Sequence, residues 1–119
     1  MINIGSLIYS NLNDLVDTRC YPLIAEQSTE FPFMIYRSSS TAPNTTKDNI
    51  YEWEHSVEIT ICNDEYDLCC SLAESVIYRL LSMEGQGVVN EVVVDTINED
   101  FIENAYVKVI TVRIYTTQA

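Results

Sequence analysis

Val57-Glu58-Ile59-Thr60-Ile61-Cys62 alternates apolar and polar side chains. After Asn63-Asp64-Glu65-Tyr66-Asp67, the run from Leu68 to Leu81 repeats its apolar residues every three to four positions. A period of two places alternate residues on one face of a strand, and a period near 3.6 places them on one face of a helix. The chain therefore passes from strand to helix at Asn63. The strand is predicted from about Ile50 to Cys62. Val57, Ile59 and Ile61 face one way, with Tyr51, Trp53 and His55 continuing that face; Glu54, Ser56, Glu58 and Thr60 face the other. The helix is predicted from about Glu65 to Met83. Leu68, Leu72, Val76 and Leu80 form one row, and Cys69, Ala73, Ile77 and Leu81 form the row beside it. Asn63-Asp64-Glu65 reads as its cap, and Gly85-Gln86-Gly87 as its end.

Upstream, Leu7, Ile8, Leu12 and Leu15 give a short helix from about Ile4 to Asp14, with Asn3 or Ser6 as its cap. Arg19 to Ile24 is a short extended piece whose Pro22 suits an edge or a strand end. Phe31-Pro32 opens a strand over Phe33–Ser38, because the residue before a proline is pushed toward extended geometry. Ser38 to Asn49 reads as a long polar loop, a length that is usually functional or mobile. Downstream, Val88 to about Ile97 is a β-branched strand, and Asn98-Glu99-Asp100 is a turn or bulge after which Phe101–Asn104 extends the strand. Ala105 to Thr117 is the last strand. Lys108, Ile110, Val112 and Ile114 lie on one face, and Val107, Val109, Thr111, Arg113 and Tyr115 on the other. Both faces are partly apolar, as in a strand covered on both sides. The order is α-β-β-β-α-β-β. The fold class is α+β: an antiparallel or mixed sheet of four to five strands with two helices packed on one face.

A length of 119 residues suits one domain spanning 1–119. Lys and Arg total 6 against 18 Asp and Glu, a net charge of −12. Such a surface argues against wrapping nucleic acid or lying on an anionic membrane. No apolar run approaches the ~20 residues that span a bilayer. Met1-Ile2-Asn3-Ile4-Gly5-Ser6 lacks the charged and apolar regions of a secretory signal, so a reducing cytosol is expected. There Cys20, Cys62, Cys69 and Cys70 read as free thiols packed as small hydrophobes. Their spacing is not that of a zinc knuckle.

No catalytic, cofactor-binding or metal-binding residue is expected, and no enzyme activity. His55 shares its strand face with Trp53 and Val57, and reads as structural or interfacial. Gly85-Gln86-Gly87 lacks the lysine and following helix of a phosphate loop. Asn63-Asp64-Glu65-Tyr66-Asp67 lacks the mid-loop glycine and distal glutamate of an EF-hand. Tyr and Trp are enriched at protein interfaces, which singles out Tyr51 and Trp53 beside the long loop.

Tyr21-Pro22-Leu23-Ile24-Ala25-Glu26, Phe31-Pro32-Phe33-Met34-Ile35-Tyr36 and Val57–Ile61 leading into Tyr66-Asp67 and Ala73-Glu74 resemble the tail-completion, or tail-terminator, proteins of long-tailed, siphovirus-like bacteriophages and prophages. The closing strand, Tyr106 to Thr116, also fits that family. The resemblance covers nearly the whole chain and rests on order and length. It implies a non-enzymatic virion protein of the tail, assembled in the bacterial host cytoplasm. It further implies a homo-oligomeric ring, typically a hexamer, that caps the tail tube and joins it to the neck and head-completion proteins. DNA would pass through without specific binding, and no membrane or cofactor would be involved. On that reading Thr41, Pro43, Asn44, Lys47, Tyr51, Trp53, Arg113 and Tyr115 are candidate partner or subunit contacts, and the long loop projects to order on the tube or neck. Glu52, Glu54 and Glu58 are the candidate lumen lining, since carboxylates repel passing phosphates. The alternatives are another neck or head-closure connector, or an acidic protein-interaction module that mimics DNA.

Overall fold

The computed structural model describes residues 3–26, 29–41 and 52–117. Helix α1 spans Ile4–Leu12 and runs into a 3₁₀ turn, Asn13–Val16. Strand β1 is Cys20–Pro22, β2 is Phe33–Thr41 and β3 is Trp53–Asn63. Helix α2 is Tyr66–Ser82, followed by β4, Val89–Ile102, and β5, Ala105–Thr116. The strands form one five-stranded sheet in the order β1-β2-β3-β5-β4. Only β1–β2 is parallel, so the sheet is mixed. The α+β class and the element order are those expected from the sequence.

The alternation in β3 does what its period requires. His55, Val57, Ile59 and Ile61 are buried under the helices. Across the β3–β5 ladder, Val57 faces Val112 and Ile59 faces Ile110, so Ile110, Val112 and Ile114 join the same layer. Met34 and Tyr36 extend it through β2. From above, α1 contributes Ile4, Ile8 and Leu12, and α2 contributes Cys69, Ala73, Val76 and Leu80. Asn3 caps α1 by accepting the Ser6 N–H at 3.1 Å. Arg79 ties the two helices, donating to both carboxylate oxygens of Asp14 at 2.8 Å and to the Asn11 carbonyl at 2.9 Å.

Four local expectations need correction. Ser38–Thr41, assigned to the loop, continues β2, because its backbone pairs with β3 from Ser38↔Val57 to Thr41↔Glu54. The ladder holds a segment with no apolar side chain, from which Ser40 reaches the buried His55; the rest of that loop lies outside the described residues. Asn98-Glu99-Asp100 is neither a turn nor a bulge. It pairs with Val109, Lys108 and Val107, and Lys108 holds Glu99 at 2.8 Å. The register shifts fall at Asn90 and Asp95, and the chain reverses at Glu103-Asn104, where φ is +51° and +64° as a two-residue primed hairpin turn requires. Asn63 does not cap α2: it is buried at the strand end, its Oδ1 accepting the Asp64 N–H at 2.7 Å, and Glu65 takes the cap position without a side-chain bond. Finally, the core uses less of α2 than the two apolar rows suggested, for Leu68 and Leu81 are about half exposed.

Leu80 and Leu81 therefore separate packing from composition. Leu80→Ala should cost about 2–5 kcal/mol, the range for a leucine truncated in a closed core. Leu81→Ala should cost less than about 1 kcal/mol. Urea unfolding midpoints at unchanged slope would measure both, and equal losses would contradict the packing described.

Candidate functional site

The helices cover one face of the sheet, and among the described residues no helix or strand covers the other. Register assigns that open face to Phe33, Ile35, Arg37 and Ser39 of β2, and to Glu54, Ser56, Glu58, Thr60 and Cys62 of β3. From β5 it receives Val107, Val109, Thr111, Arg113 and Tyr115. The face divides along the strands into a charged end and an apolar end.

Arg113 organises the charged end. Its Nε lies 3.0 Å from both Asp95 oxygens, and its Nη1 donates to the Tyr115 hydroxyl at 2.8 Å. Tyr115 in turn donates to Glu54 Oε1 at 3.3 Å. Asp95 has the parity of Val93, which faces Arg113, and the bulge there leaves it with no residue directly opposite. The Asp95 hydrogen bond holds the Arg113 pKa above its usual value, and burial raises that of Tyr115. Arg37 lies 3.8 Å from Glu58, with both side chains well exposed. At the apolar end, Phe31 stacks on Phe33 at 5.7 Å. These rings, with Ile35, Cys62, Val107 and Ile102, line a cleft of about 310 Å³. Burial pushes the Cys62 and Cys20 thiols up to about 11, so both are protonated at neutral pH and are poor nucleophiles. Among the described residues no group of three or more His, Cys, Asp or Glu could hold a metal ion.

The structure brings Arg113, Tyr115 and Glu54 together, with Glu58 on the same face. Glu52 lies just before β3, exposed, and accepts the Asn90 amide at 3.0 Å. Thr41 ends β2 in solvent. Trp53 is half-buried opposite Thr116, on the helix side rather than with Arg113. Pro43, Asn44, Lys47 and Tyr51 lie outside the described residues. Sequence reasoning missed Arg37, Asp95 and the apolar end. Asp95 had a signal, an acid that ends the run Val92-Val93-Val94. Arg37 and Phe33 had none without the register.

His55 is buried under the helices and 2% exposed. Ser40 Oγ lies 2.6 Å from its Nδ1, and Thr116 Oγ1 lies 3.0 Å from its Nε2. Both partners are hydroxyls, which donate and accept, so either neutral tautomer is satisfied. Burial lowers the His55 pKa from 6.5. Above 6.5 the ring is neutral in both folded and unfolded chains. As pH falls below it, the unfolded chain takes up the proton first, so stability declines toward the lower folded value. Asp14 and Glu99 titrate elsewhere. Hydrogen bonds from Arg79 and from Lys108 hold them below 3.8 and 4.5, so their contribution is lost only at more acid pH. Urea midpoints should therefore fall between about pH 7 and 5 in the native chain. His55→Gln should be less stable at pH 7 and lack that slope; an equal slope in both would remove His55 as its cause.

No protein-family model matches the sequence, and neither does any curated protein sequence. The fold is similar to that of a chain in the virion of a native gene transfer agent particle, with a TM-score of 0.73 at 12% identity. The match covers 95% of this chain and 93% of that one.

Proposed function

We propose that the protein is a structural virion subunit, and that it forms a ring capping a phage-type tail tube and joining it to the head or neck. The fold match over nearly the whole of both chains carries the virion reading, since the chain it resembles is part of a virion. The tail-terminator assignment draws on the sequence resemblance, and the ring on the two-part open face. An apolar end lined by Phe31, Phe33, Ile35 and Ile102 suits contact between copies, with Glu26 and Glu103 beside them as the acids such a contact must pair. The protein is not an enzyme on this reading: His55 is closed off by hydroxyls and three cysteines are buried.

We assign the DNA-facing wall to Glu54 and Glu58 of β3 and to Glu52 just before it. Arg37 and Arg113 partly offset Glu58 and Glu54, so Glu52 and the overall charge of −12 supply much of the repulsion.

Light scattering on the chain alone and with tail tubes tests the assembly. A ring-sized mass, free or formed on tubes, is expected. A monomer that ignores tubes but captures a basic protein, with strong salt dependence, would favour the acidic-module alternative. Within particles, Glu52→Lys with Glu58→Lys should slow DNA passage while leaving ring mass unchanged. Unaltered ejection would take the lumen away from this strand.

A further inference from the structure

Strand β4 ends the sheet, and its outer edge changes along its length. Near the start the edge is closed: the Val92 N–H, turned away from β5, donates to Glu84 Oε1 at 3.1 Å. Register carries that orientation onward. Val92 faces Ile114, and Ile97, Glu99 and Phe101 face Ile110, Lys108 and Tyr106, residues of the same parity in β5. Their N–H and C=O groups therefore also point outward. The Phe101 N–H is met by Asp100 Oδ1 at 2.8 Å. The outward N–H groups of Ile97 and Glu99 have no protein partner among the described residues.

Apolar groups flank this open stretch on both sides. Ile97 and Phe101 are 50% and 55% exposed on the helix side, and Ile102 is 51% exposed on the other. The Phe101 ring lies 4.9 Å from Tyr106, which meets Tyr66 at 5.4 Å. With Glu99, Asp100 and Lys108 these rings line a cleft of about 240 Å³. A naked edge between apolar surfaces is the arrangement that accepts an added strand.

Charge selects the occupant. Glu91, Asp95, Glu99 and Asp100 all lie on β4, which has no Lys or Arg. Lys108 and Arg113 hold Glu99 and Asp95, while Asp100 has no cation within ion-pair distance among the described residues. A second β4 would set these acids against their own copies. The other sheet edge, β1, has three residues and ends at Pro22, which lacks an N–H. Among the described residues, neither edge of a second copy supplies a partner strand. The geometry points to an extended segment of a different protein, alternating apolar and basic residues, that adds to β4 along Ile97–Phe101. Its apolar side chains lie on the Phe101 side and its basic ones on the Asp100 side.

A fluorescein-labelled peptide of alternating valine and lysine, titrated into the full chain and followed by anisotropy, tests this. Saturable binding is expected, with slowed hydrogen exchange at Ile97–Phe101 and none for a valine–glutamate peptide. Ile97→Pro removes an outward N–H and spares the β4–β5 ladder; Phe101→Ala empties the cleft. Each should weaken binding by about tenfold or more, roughly 1.4 kcal/mol. Asp100→Lys should weaken it too, whereas Glu74→Lys, the same charge change beside Leu15 on α2, should not. No binding, or equal losses in the two lysine variants, would overturn the inference. So would a concentration-dependent dimer abolished by Ile97→Pro, which would give the edge to a second copy. None of these failures touches the virion reading, which rests on the fold.

Discussion

Ile59 of β3 and Ile110 of β5 face each other at the centre of the sheet, both fully excluded from solvent. Everything else follows from keeping that pair in register. A slip of one residue would turn every side chain of a strand to the opposite face. In β3 it would drive Glu54 and Glu58 under the helices and expose His55, Val57 and Ile61. A buried carboxylate without a partner costs several kcal/mol, so about one such residue would consume much of a small domain's stability. The register that closes the core also builds the open face. Glu58 reaches Arg37, and Arg113 reaches Asp95 and Glu54, because Ile59 and Val112 point the other way. The surface is thus a consequence of the core rather than an independent addition.

The sequence made the helix-bearing half of this legible. Val57, Ile59 and Ile61 alternate cleanly, and Val76 and Leu80 keep helical spacing, so period alone found β3 and α2. Propensity failed where backbone pairing overrode it. Ser38–Thr41 holds no apolar side chain and still extends β2, since its partner strand supplies the bonds. Asn98-Glu99-Asp100 has turn chemistry, but its backbone pairs with Val109, Lys108 and Val107 across the ladder, where Lys108 also meets Glu99. The candidate surface was legible only where it followed alternation, as with Arg113 and Tyr115. Trp53 lies on the face that its parity with His55 implied, and so does not join Arg113. The β4 edge was invisible, because strand order cannot be read from local pattern.

The two halves of the open face do different physical work. The ion pairs at the charged end are partly exposed, and screening by solvent leaves them little net stabilisation. Their value lies in direction: Arg113 fixes Asp95, Tyr115 and Glu54 in one plane of the sheet surface. The apolar end holds the contacts that gain from leaving water, through Phe31, Phe33, Ile35 and Ile102.

A charge of −12 per chain sets the terms for any assembly of copies. Like charges repel over about 8 Å at physiological ionic strength, so distant acids are screened and close ones are not. In the proposed ring, contact is favoured at the apolar end, where Phe31, Phe33, Ile35 and Ile102 gain from leaving water and where a neighbour's cations must meet Glu26 and Glu103 of the same cleft. Contact is disfavoured along the acids of β4. The same repulsion that keeps β4 from pairing with itself leaves that edge available to a partner of opposite charge. Acidity and an open edge, each a liability alone, together restrict what can bind and where.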